Sequence, residues 1–226
     1  MKIEILTIFP EIFSGFLSSS LIKKGIETGL LSIQASNFRD FASEPHHNVD
    51  DTPYGGGAGM VIKPEPIVES IENAKLKLPK AKVILLSPAG SVLNQKKAYE
   101  LSLLPEIILV CGRYEGVDQR AIEVAIDEEI SIGDYILMGG EIASMVVIET
   151  ITRLIPGVLG NNQSIESESF SRSLIEAPHY TRPAEYRGLK VPAVLLSGDH
   201  KAIAKWREEM SLKITVENRP DLLSKN

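Results

Sequence analysis

Cysteine is almost absent from this sequence, since Cys111 is the single example among 226 residues. One cysteine excludes an internal disulfide and fits a protein of the reducing cytoplasm. The four histidines (His46, His47, His179 and His200) show no zinc-ligand spacing relative to one another or to the cysteine. The sequence therefore predicts a cytoplasmic protein without a metal site.

Long hydrophobic runs are also lacking, although 43% of the residues are hydrophobic, which is enough for a sizeable core. The most apolar segment, residues 135–160, is interrupted by Glu141, Glu149 and Arg153, so it does not have the pattern of a membrane span. The N-terminal stretch MKIEILTIFPEIF has no basic region or small-residue cleavage site, so no signal peptide is predicted. We predict no membrane contact.

Positive charge is scarce, because the formal net charge is −6, and this argues against a nucleic-acid partner. The distribution changes that interpretation. Residues 172–213 carry a balance of +3, which leaves −9 for the rest of the chain. Such asymmetry is typical of a phosphate-facing segment on an acidic protein, but an ordinary solvated helix face explains it equally well.

The common catalytic motifs are missing: there is no G-x-S-x-G elbow, no H-E-x-x-H, no P-loop and no Rossmann fingerprint. In their place residues 109–141 carry two glycine-punctuated loops, at residues 112–116 and 133–140. Each follows an apolar run and leads into a helical pattern, so both should open at the carboxyl edge of a sheet, where ligands bind. Two interpretations stay open: a pocket for an uncharged, adenosine-like molecule, or glycines with a purely structural role.

Hydrophobic periodicity predicts an α/β fold with a mostly parallel sheet and helices on both faces. The predicted strands cover residues 1–7, 31–36, 82–87, 106–111 and 128–132. The predicted helices cover residues 18–28, 64–78, 94–103, 118–125, 140–155 and 200–216. The helix over residues 140–155 is apolar enough to be buried on most sides.

Two stretches show no hydrophobic periodicity. Their composition is rich in polar residues, which is typical of a loop or a linker. Residues 37–59 are predicted to be a long loop, either functional or flexible. Residues 157–173 have a linker composition. We predict a large domain over residues 1–159, a linker over residues 160–172, and a small, mainly helical domain over residues 173–226.

Several long motifs occur together: MKIEILTIFPEIF, DDTPYGGGAGM, LVCGRYEGVDQR, EISIGDYILMGGE, RLIPGVLG, PHYTRP and VPAVLLSGDHKAIAKWR. In this order and spacing they resemble the bacterial tRNA (guanine-N1)-methyltransferases of the TrmD family, in the SPOUT class. The resemblance implies a deep trefoil knot in a SPOUT-like catalytic and cofactor-binding domain over residues 1–159, and a tRNA-binding domain over residues 173–226. It implies a homodimer with the active site at its interface. It also implies methylation of the tRNA anticodon stem-loop, at ring nitrogen 1 of the guanosine immediately 3′ of the anticodon.

The resemblance implies S-adenosyl-L-methionine as the methyl donor. The residues that would hold it are Leu86, Ser87, Pro88 and Gly90; Gly112, Tyr114 and Glu115; and Ser131, Ile132, Gly133, Asp134, Tyr135, Ile136, Leu137, Gly139 and Gly140. Assistance by Mg²⁺ is compatible with the resemblance, although no metal site is visible in the sequence.

For catalysis, the resemblance assigns Arg153 to stabilise the negative charge that builds on the exocyclic oxygen of guanine. Without the resemblance, Arg153 reads as an arginine that complements the helix dipole. The family has an aspartate as base two residues before the linker phenylalanine, and this chain has Glu168 before Phe170. We predict Glu168 as the base, with Glu166 as the fallback.

Substrate contacts are implied for two further groups of residues, although a packed turn is the alternative for the second group. They are Asp51, Tyr54, Gly55, Gly56, Gly57 and Gly59 in the long loop, and His179, Tyr180 and Arg182 after the linker. The basic residues expected to meet tRNA phosphates are Arg172, Arg187, Lys190, Lys201, Lys205 and Arg207. Because glutamate replaces the family's aspartate, two alternatives stay open: another knotted RNA methyltransferase, acting on a ribose or another base, and a non-catalytic binding protein.

Overall fold

A computed structural model of the chain describes residues 1–43, 45–159, 168–170 and 173–223. The chain divides into two compact units, Met1–Gly160 and Asn161–Asn226. Of the predicted linker, residues 160–172, the structure describes residues 168–170. The first unit carries both glycine loops, and the second carries Glu168.

Seven strands are present in the described part of the first unit: β1 (Lys2–Thr7), β2 (Ser32–Asn37), β3 (Asp50–Asp51), β4 (Val61–Ile62), β5 (Lys82–Val92), β6 (Glu106–Cys111) and β7 (Glu128–Ser131). Five of them form one sheet in the order β2-β1-β6-β5-β7. Every neighbouring pair in this sheet is parallel. The predicted α/β class with a parallel sheet is confirmed.

The helices of this unit are α1 (Ser14–Leu17), α2 (Ser20–Glu27), α3 (Pro64–Lys77), α4 (Gln95–Ser102), α5 (Gln119–Ala125) and α6 (Gly140–Thr152). Successive strand side chains alternate between two buried clusters, as the period of two in a strand requires. On β5, Ile84 and Leu86 join residues of α2, α4 and α6, whereas Val83 and Leu85 join residues of α3 and α5. Helices therefore cover both faces of the sheet.

Burial of α6 is less complete than its composition predicts. Val147, Ile148 and Ile151 are fully buried, but Ile142 is 49% exposed and Val146 is 38% exposed. The helix ends at Thr152 rather than at residue 155, because the backbone tightens into three-residue turns there. Ile142 and Val146 are four residues apart on one side of α6, so this helix has an exposed apolar strip.

Residues 37–59 are not structureless, and that prediction was wrong in two places. Phe38–Phe41 form a 3₁₀-helix that starts on the side chain of Asn37, which accepts from the Arg39 amide at 2.9 Å. β3 pairs antiparallel with β4. Strands of two residues are too short to show a hydrophobic period, so the sequence pattern could not predict the pairing of β3 with β4.

A buried carboxylate ties the start of α6 to two strand ends. The Glu141 side chain is 1% exposed and accepts from the Thr7 hydroxyl, at the end of β1, at 2.8 Å. It also accepts from Arg113 Nε, just after β6, at 3.0 and 3.2 Å. Arg113 in turn lies 4.7 Å over the Phe9 ring. Glu141 lies in the first turn of α6, where the positive end of the helix dipole also favours its negative charge.

The second unit contains β8 (Glu185–Tyr186), β9 (Leu189–Lys190), α7 (Ala193–Leu196), α8 (His200–Asn218) and a 3₁₀-turn at Pro220–Leu222. The β8-β9 hairpin accompanies these helices and was not among the elements predicted from the sequence. Its two-residue turn has φ of 52° at Arg187 and 81° at Gly188, as the mirror-image turns of tight hairpins require.

We expect Arg113→Ala to lower the free energy of unfolding by about 3 kcal/mol, because it leaves the Glu141 carboxylate buried without its cation. Chemical denaturation followed by circular dichroism measures the change. Adding Glu141→Gln to this variant should recover part of the loss, since the unpaired buried charge is then gone.

The matched control is Arg120→Ala, because Arg120 also pairs with an acid, Asp118, at 2.8 Å but is 68% exposed. Its removal should leave the denaturation midpoint nearly unchanged. Equal shifts of the midpoint for the two arginine variants would contradict the special role of the buried pair.

Candidate active site

Three loops meet at the carboxyl edge of the adjacent strands β6, β5 and β7, and they enclose a cavity of about 560 Å³. Fourteen of the sixteen residues predicted to hold the cofactor line it: Leu86, Ser87, Pro88, Gly112, Tyr114, Glu115, Ser131, Ile132, Gly133, Tyr135, Ile136, Leu137, Gly139 and Gly140. The fold therefore gathers three separate segments of sequence into one pocket.

Gly90 and Asp134 are not among the residues that line this cavity. At Gly90 a Cβ atom would collide with the backbone of Glu129 and Ile130, so this glycine allows β5 to approach β7. The register between the two strands shifts between Leu86 and Ser91, and the bulge carries residues 87–89 to the cavity. Asp134 is exposed at the tip of its loop.

Other residues of the lining were not predicted: Leu85, Ala89, Arg113, Gly116, Val117, Gln119, Ile122, Glu129, Ile130, Met138 and Ala143. Most lie within the same three segments. Gln119, Ile122 and Ala143 belong to the first turns of the helices that follow the loops. Helical periodicity could have identified them, since a helix returns a side chain to the same side every three or four residues.

The loop after β7 returns across the end of β5 to the end of β6. Gly140 donates its amide to the Gly112 carbonyl at 2.9 Å, and Arg113 and Gly139 form an antiparallel bridge. A Cβ atom at Gly140 would lie 2.7 Å from Cys111 Cα, so the approach requires glycine. Within the loop, Tyr135 donates its hydroxyl to the Ile132 carbonyl at 3.1 Å. Backbone groups therefore form much of this wall.

Charge in the frame of the pocket is neutralised by pairing. Glu128, at the start of β7, lies 2.6 Å from Lys82 Nζ and 2.8 Å from Lys97 Nζ. Burial opposes ionisation of Glu128, but the ion pairs with Lys82 and Lys97 outweigh it and lower the pKa of the carboxyl. Burial raises the pKa of the Cys111 thiol, so this cysteine is not suited to act as a nucleophile.

The glycine-rich loop, residues 53–59, leads into a backbone segment that is hydrogen-bonded to one wall of the pocket. The Glu115 amide donates to the Met60 carbonyl and the Ile62 amide donates to the Gly116 carbonyl, both at 2.9 Å. Gly59 lies against the Glu115 side chain, which would collide with a Cβ atom there. Asp51, Tyr54, Gly55, Gly56 and Gly57 do not line the cavity, and Tyr54 is 99% exposed.

Arg153 is not brought to the pocket of its own chain. It is the C-terminal cap of α6, whereas Gly140 at the other end of the helix lines the cavity. At a rise of about 1.5 Å per residue, the two positions are separated by roughly 20 Å, which exceeds the reach of an arginine side chain. Any role for Arg153 at this pocket therefore needs a second copy of the chain.

In the second unit, six predicted residues line a cavity of about 1030 Å³: Glu168, His179, Tyr180 and Arg182, with the basic Lys205 and Arg207. His179 lies 3.2 Å from Glu176, and the Tyr180 ring lies 6.3 Å from the Trp206 ring. Leu174, Ile175, Leu195 and Ile203 provide apolar parts of the wall. The fallback base Glu166 and the basic Arg172 lie outside the described residues.

The remaining predicted phosphate contacts, Arg187, Lys190, Lys201, Lys205 and Arg207, are all exposed. Acidic neighbours moderate their charge: Lys190 lies 3.6 Å from Glu185, and Lys205 lies 3.8 Å from Glu209. Among the described residues no group of His, Cys, Asp and Glu could hold a metal ion. The same part of the chain contains no helix long and apolar enough to cross a membrane.

The chain is similar over its whole length to known proteins. The family model described as tRNA (Guanine-1)-methyltransferase TrmD matches residues 1–225. A tRNA (guanine-N(1)-)-methyltransferase of Carboxydothermus hydrogenoformans is 56% identical over 225 residues, which cover 99% of this chain and 87% of the relative. Proteins of the same name from Geobacillus kaustophilus and Geobacter metallireducens are 53% and 52% identical, with 91% and 92% of each relative covered. The chain belongs to the tRNA (guanine-1)-methyltransferase TrmD family.

Proposed function

We propose that this protein transfers the methyl group of S-adenosyl-L-methionine to ring nitrogen 1 of the guanosine immediately 3′ of the anticodon in tRNA. The observation that carries the proposal is the match to the family over residues 1–225, at more than half identity to its named members. The pocket at the carboxyl edge of the sheet supplies the matching geometry. We place this activity in the cytoplasm.

The size and chemistry of the pocket support S-adenosyl-L-methionine as the methyl donor. A volume of about 560 Å³ lies within the range of small-molecule sites. The loop walls are largely backbone and apolar side chains, and Arg113 is already engaged by Glu141, so an uncharged adenine ring meets few competing charges. When bound, this group supplies an electrophilic methyl on a sulfonium.

We propose that the first unit is knotted. Support comes from the path of the chain after β7. Strand β7 lies at the edge of the sheet, and the loop that follows it returns over the end of β5 to the end of β6. α6 then packs into the cluster that also holds α2 and α4. A trefoil knot explains why the contact at Gly140 and Cys111 is so close.

We propose that the active site is shared between two copies of the chain. Ile142 and Val146 on α6 and Ile136 and Met138 before it are all exposed and apolar, which suits a self-complementary interface. If a two-fold axis crosses α6, the two helices run antiparallel. The Arg153 end of one helix then lies near the Gly140 end of the other. Arg153 can therefore reach the pocket of the partner copy, although about 1.5 Å per residue places it roughly 20 Å from the pocket of its own chain.

The chemistry uses two side chains. Glu168 accepts the proton from ring nitrogen 1 while that nitrogen takes the methyl group, and S-adenosylhomocysteine remains. Arg153 donates to the neighbouring exocyclic oxygen, on which negative charge builds as the proton leaves. Because Arg153 keeps its charge at all working pH values, it stabilises the oxygen without a change in protonation.

We propose that tRNA contacts the glycine-rich loop and the second unit. The loop is joined to the Glu115 wall of the pocket by backbone hydrogen bonds, so a guanine held there lies beside the methyl donor. The second unit offers His179, Tyr180 and Arg182 in one cavity, with exposed lysines and arginines on α8. Flipping the target base out of its stack makes it accessible to these residues.

To test the proposal, the protein is incubated with labelled S-adenosyl-L-methionine and an unmodified tRNA, and the methylated atom is mapped. The tRNA has a guanosine immediately 3′ of the anticodon and a second guanosine just before it. We expect one methyl on ring nitrogen 1 of the guanosine 3′ of the anticodon and none when adenosine replaces this guanosine. A ribose methyl or a methyl at another base would instead support a different knotted RNA methyltransferase. No transfer would support a non-catalytic binding protein.

We expect Glu168→Gln to lower kcat by about 10² to 10⁴, because the amide accepts no proton from guanine. Steady-state methyl transfer at saturating tRNA and S-adenosyl-L-methionine measures the change. Glu217→Gln is the control, since Glu217 is an exposed acid on α8 that pairs with Lys213 at 4.0 Å. Turnover near wild type for Glu168→Gln, with tRNA binding intact, would remove Glu168 from the role of base.

A further inference from the structure

Two hydroxyls of α8 hold the backbone of the segment that follows Glu168. The Ile175 amide donates to Thr215 Oγ1 at 2.8 Å, and Ser211 Oγ donates to the Ile175 carbonyl at 2.5 Å. Ser211 and Thr215 are four residues apart, so they lie on the same side of the helix. Thr215 is fully buried, and its hydroxyl also donates to the Ser211 carbonyl at 2.7 Å. Both polar groups of one residue, Ile175, are thus held by α8.

The same segment folds back on the residues next to Glu168. The Phe170 amide donates to the Leu174 carbonyl at 2.8 Å, and the Glu176 amide donates to Ser169 Oγ at 3.0 Å. The Arg219 guanidinium lies 5.8 Å over the Phe170 ring. Short contacts therefore connect Ser169 and Phe170 to residues 174–176, and through Ile175 to α8.

We propose that Ser211 and Thr215 are positioning residues for the catalytic base. They fix Ile175, Ile175 fixes the turn that bears Ser169 and Phe170, and this turn sets where the Glu168 carboxylate points. Glu168, Ile175 and Ser211 line the same cavity, in agreement with this arrangement. The inference rests on the proposed function, because it presupposes Glu168 as the base.

The helix that holds the turn also carries Lys201, Lys205 and Arg207, the proposed contacts to tRNA phosphates. Arg207 and Ser211 are one helical turn apart, or about 6 Å along the axis. One rigid element therefore links the docking of tRNA to the orientation of the base. Through this link, the helix that binds tRNA also orients the base that takes the proton.

The test compares Thr215→Val, which keeps the shape of the side chain and removes its hydroxyl, with Thr215→Ser, which keeps the hydroxyl. We expect Thr215→Val to lower kcat by about 10- to 100-fold, the loss typical of a reacting group displaced by around 1 Å. The KM values for tRNA and S-adenosyl-L-methionine should stay close to wild type. Thr215→Ser should restore kcat, and Ser197→Ala, which removes an exposed hydroxyl elsewhere in the unit, should not change it.

A second comparison shows whether Thr215 acts through Glu168. In the Glu168→Gln background, Thr215→Val should cause no further loss, because a base that is already removed cannot be displaced. Additive losses would overturn the proposal, and so would a raised KM for tRNA with unchanged kcat. If Thr215→Val proves too unstable to assay, Ser211→Ala tests the same link at a half-buried position, and unchanged kcat there would overturn it.

Failure of the inference can be told apart from failure of the proposed function. If wild-type protein transfers no methyl group, the proposed function itself is wrong. If wild type is active and Glu168→Gln keeps full turnover, the function stands, but Glu168 is not the base and the positioning role falls with it. If wild type is active and Glu168→Gln is not, while Thr215→Val turns over as wild type does, the positioning role alone is wrong.

Discussion

The buried Glu141 carboxylate is the interaction on which the pocket of this protein depends. A carboxylate that is 1% exposed is costly unless it is paired, and here Arg113 and Thr7 provide the pairing. Because these partners come from the ends of β6 and β1, the pairing fixes the first turn of α6 against the carboxyl edge of the sheet. The loop before α6 must then span the end of β5, and the cavity is the space that this loop encloses.

Two glycines allow further close contacts between backbone segments around the pocket. At Gly140 and Gly90 the backbone of one segment comes so close to the backbone of another that a side chain has no room. These two contacts join the returning loop to β6 and the bend of β5 to β7. A wall made in this way presents amides and carbonyls to a ligand rather than charged side chains, which suits recognition of an adenine ring.

Periodicity predicted the sheet well, because strands such as β5 and β6 alternate between two apolar clusters and leave a clear signal. Short elements were missed: β3, and the β8-β9 hairpin with its turn at Arg187 and Gly188, are too brief to show a period. The pairing of Glu141 was also beyond sequence reasoning, since Thr7 lies 134 residues away. The motifs identified most of the pocket lining, but only the length of α6 showed that Arg153 cannot reach the pocket of its own chain.

We propose that one copy of the chain supplies the pocket while its partner supplies Arg153 from the end of α6 and Glu168 from the linker, as the family resemblance implies. Mixed dimers test it most directly: Glu168→Gln is combined with Pro88→Arg, which places a charged side chain at an exposed position of the pocket lining. Each variant alone should be inactive. After random exchange of subunits, an isologous dimer with shared sites should regain about a quarter of wild-type methyl transfer, because half of the dimers are mixed and each has one intact site. No recovery in mixtures shown to contain mixed dimers would contradict the account.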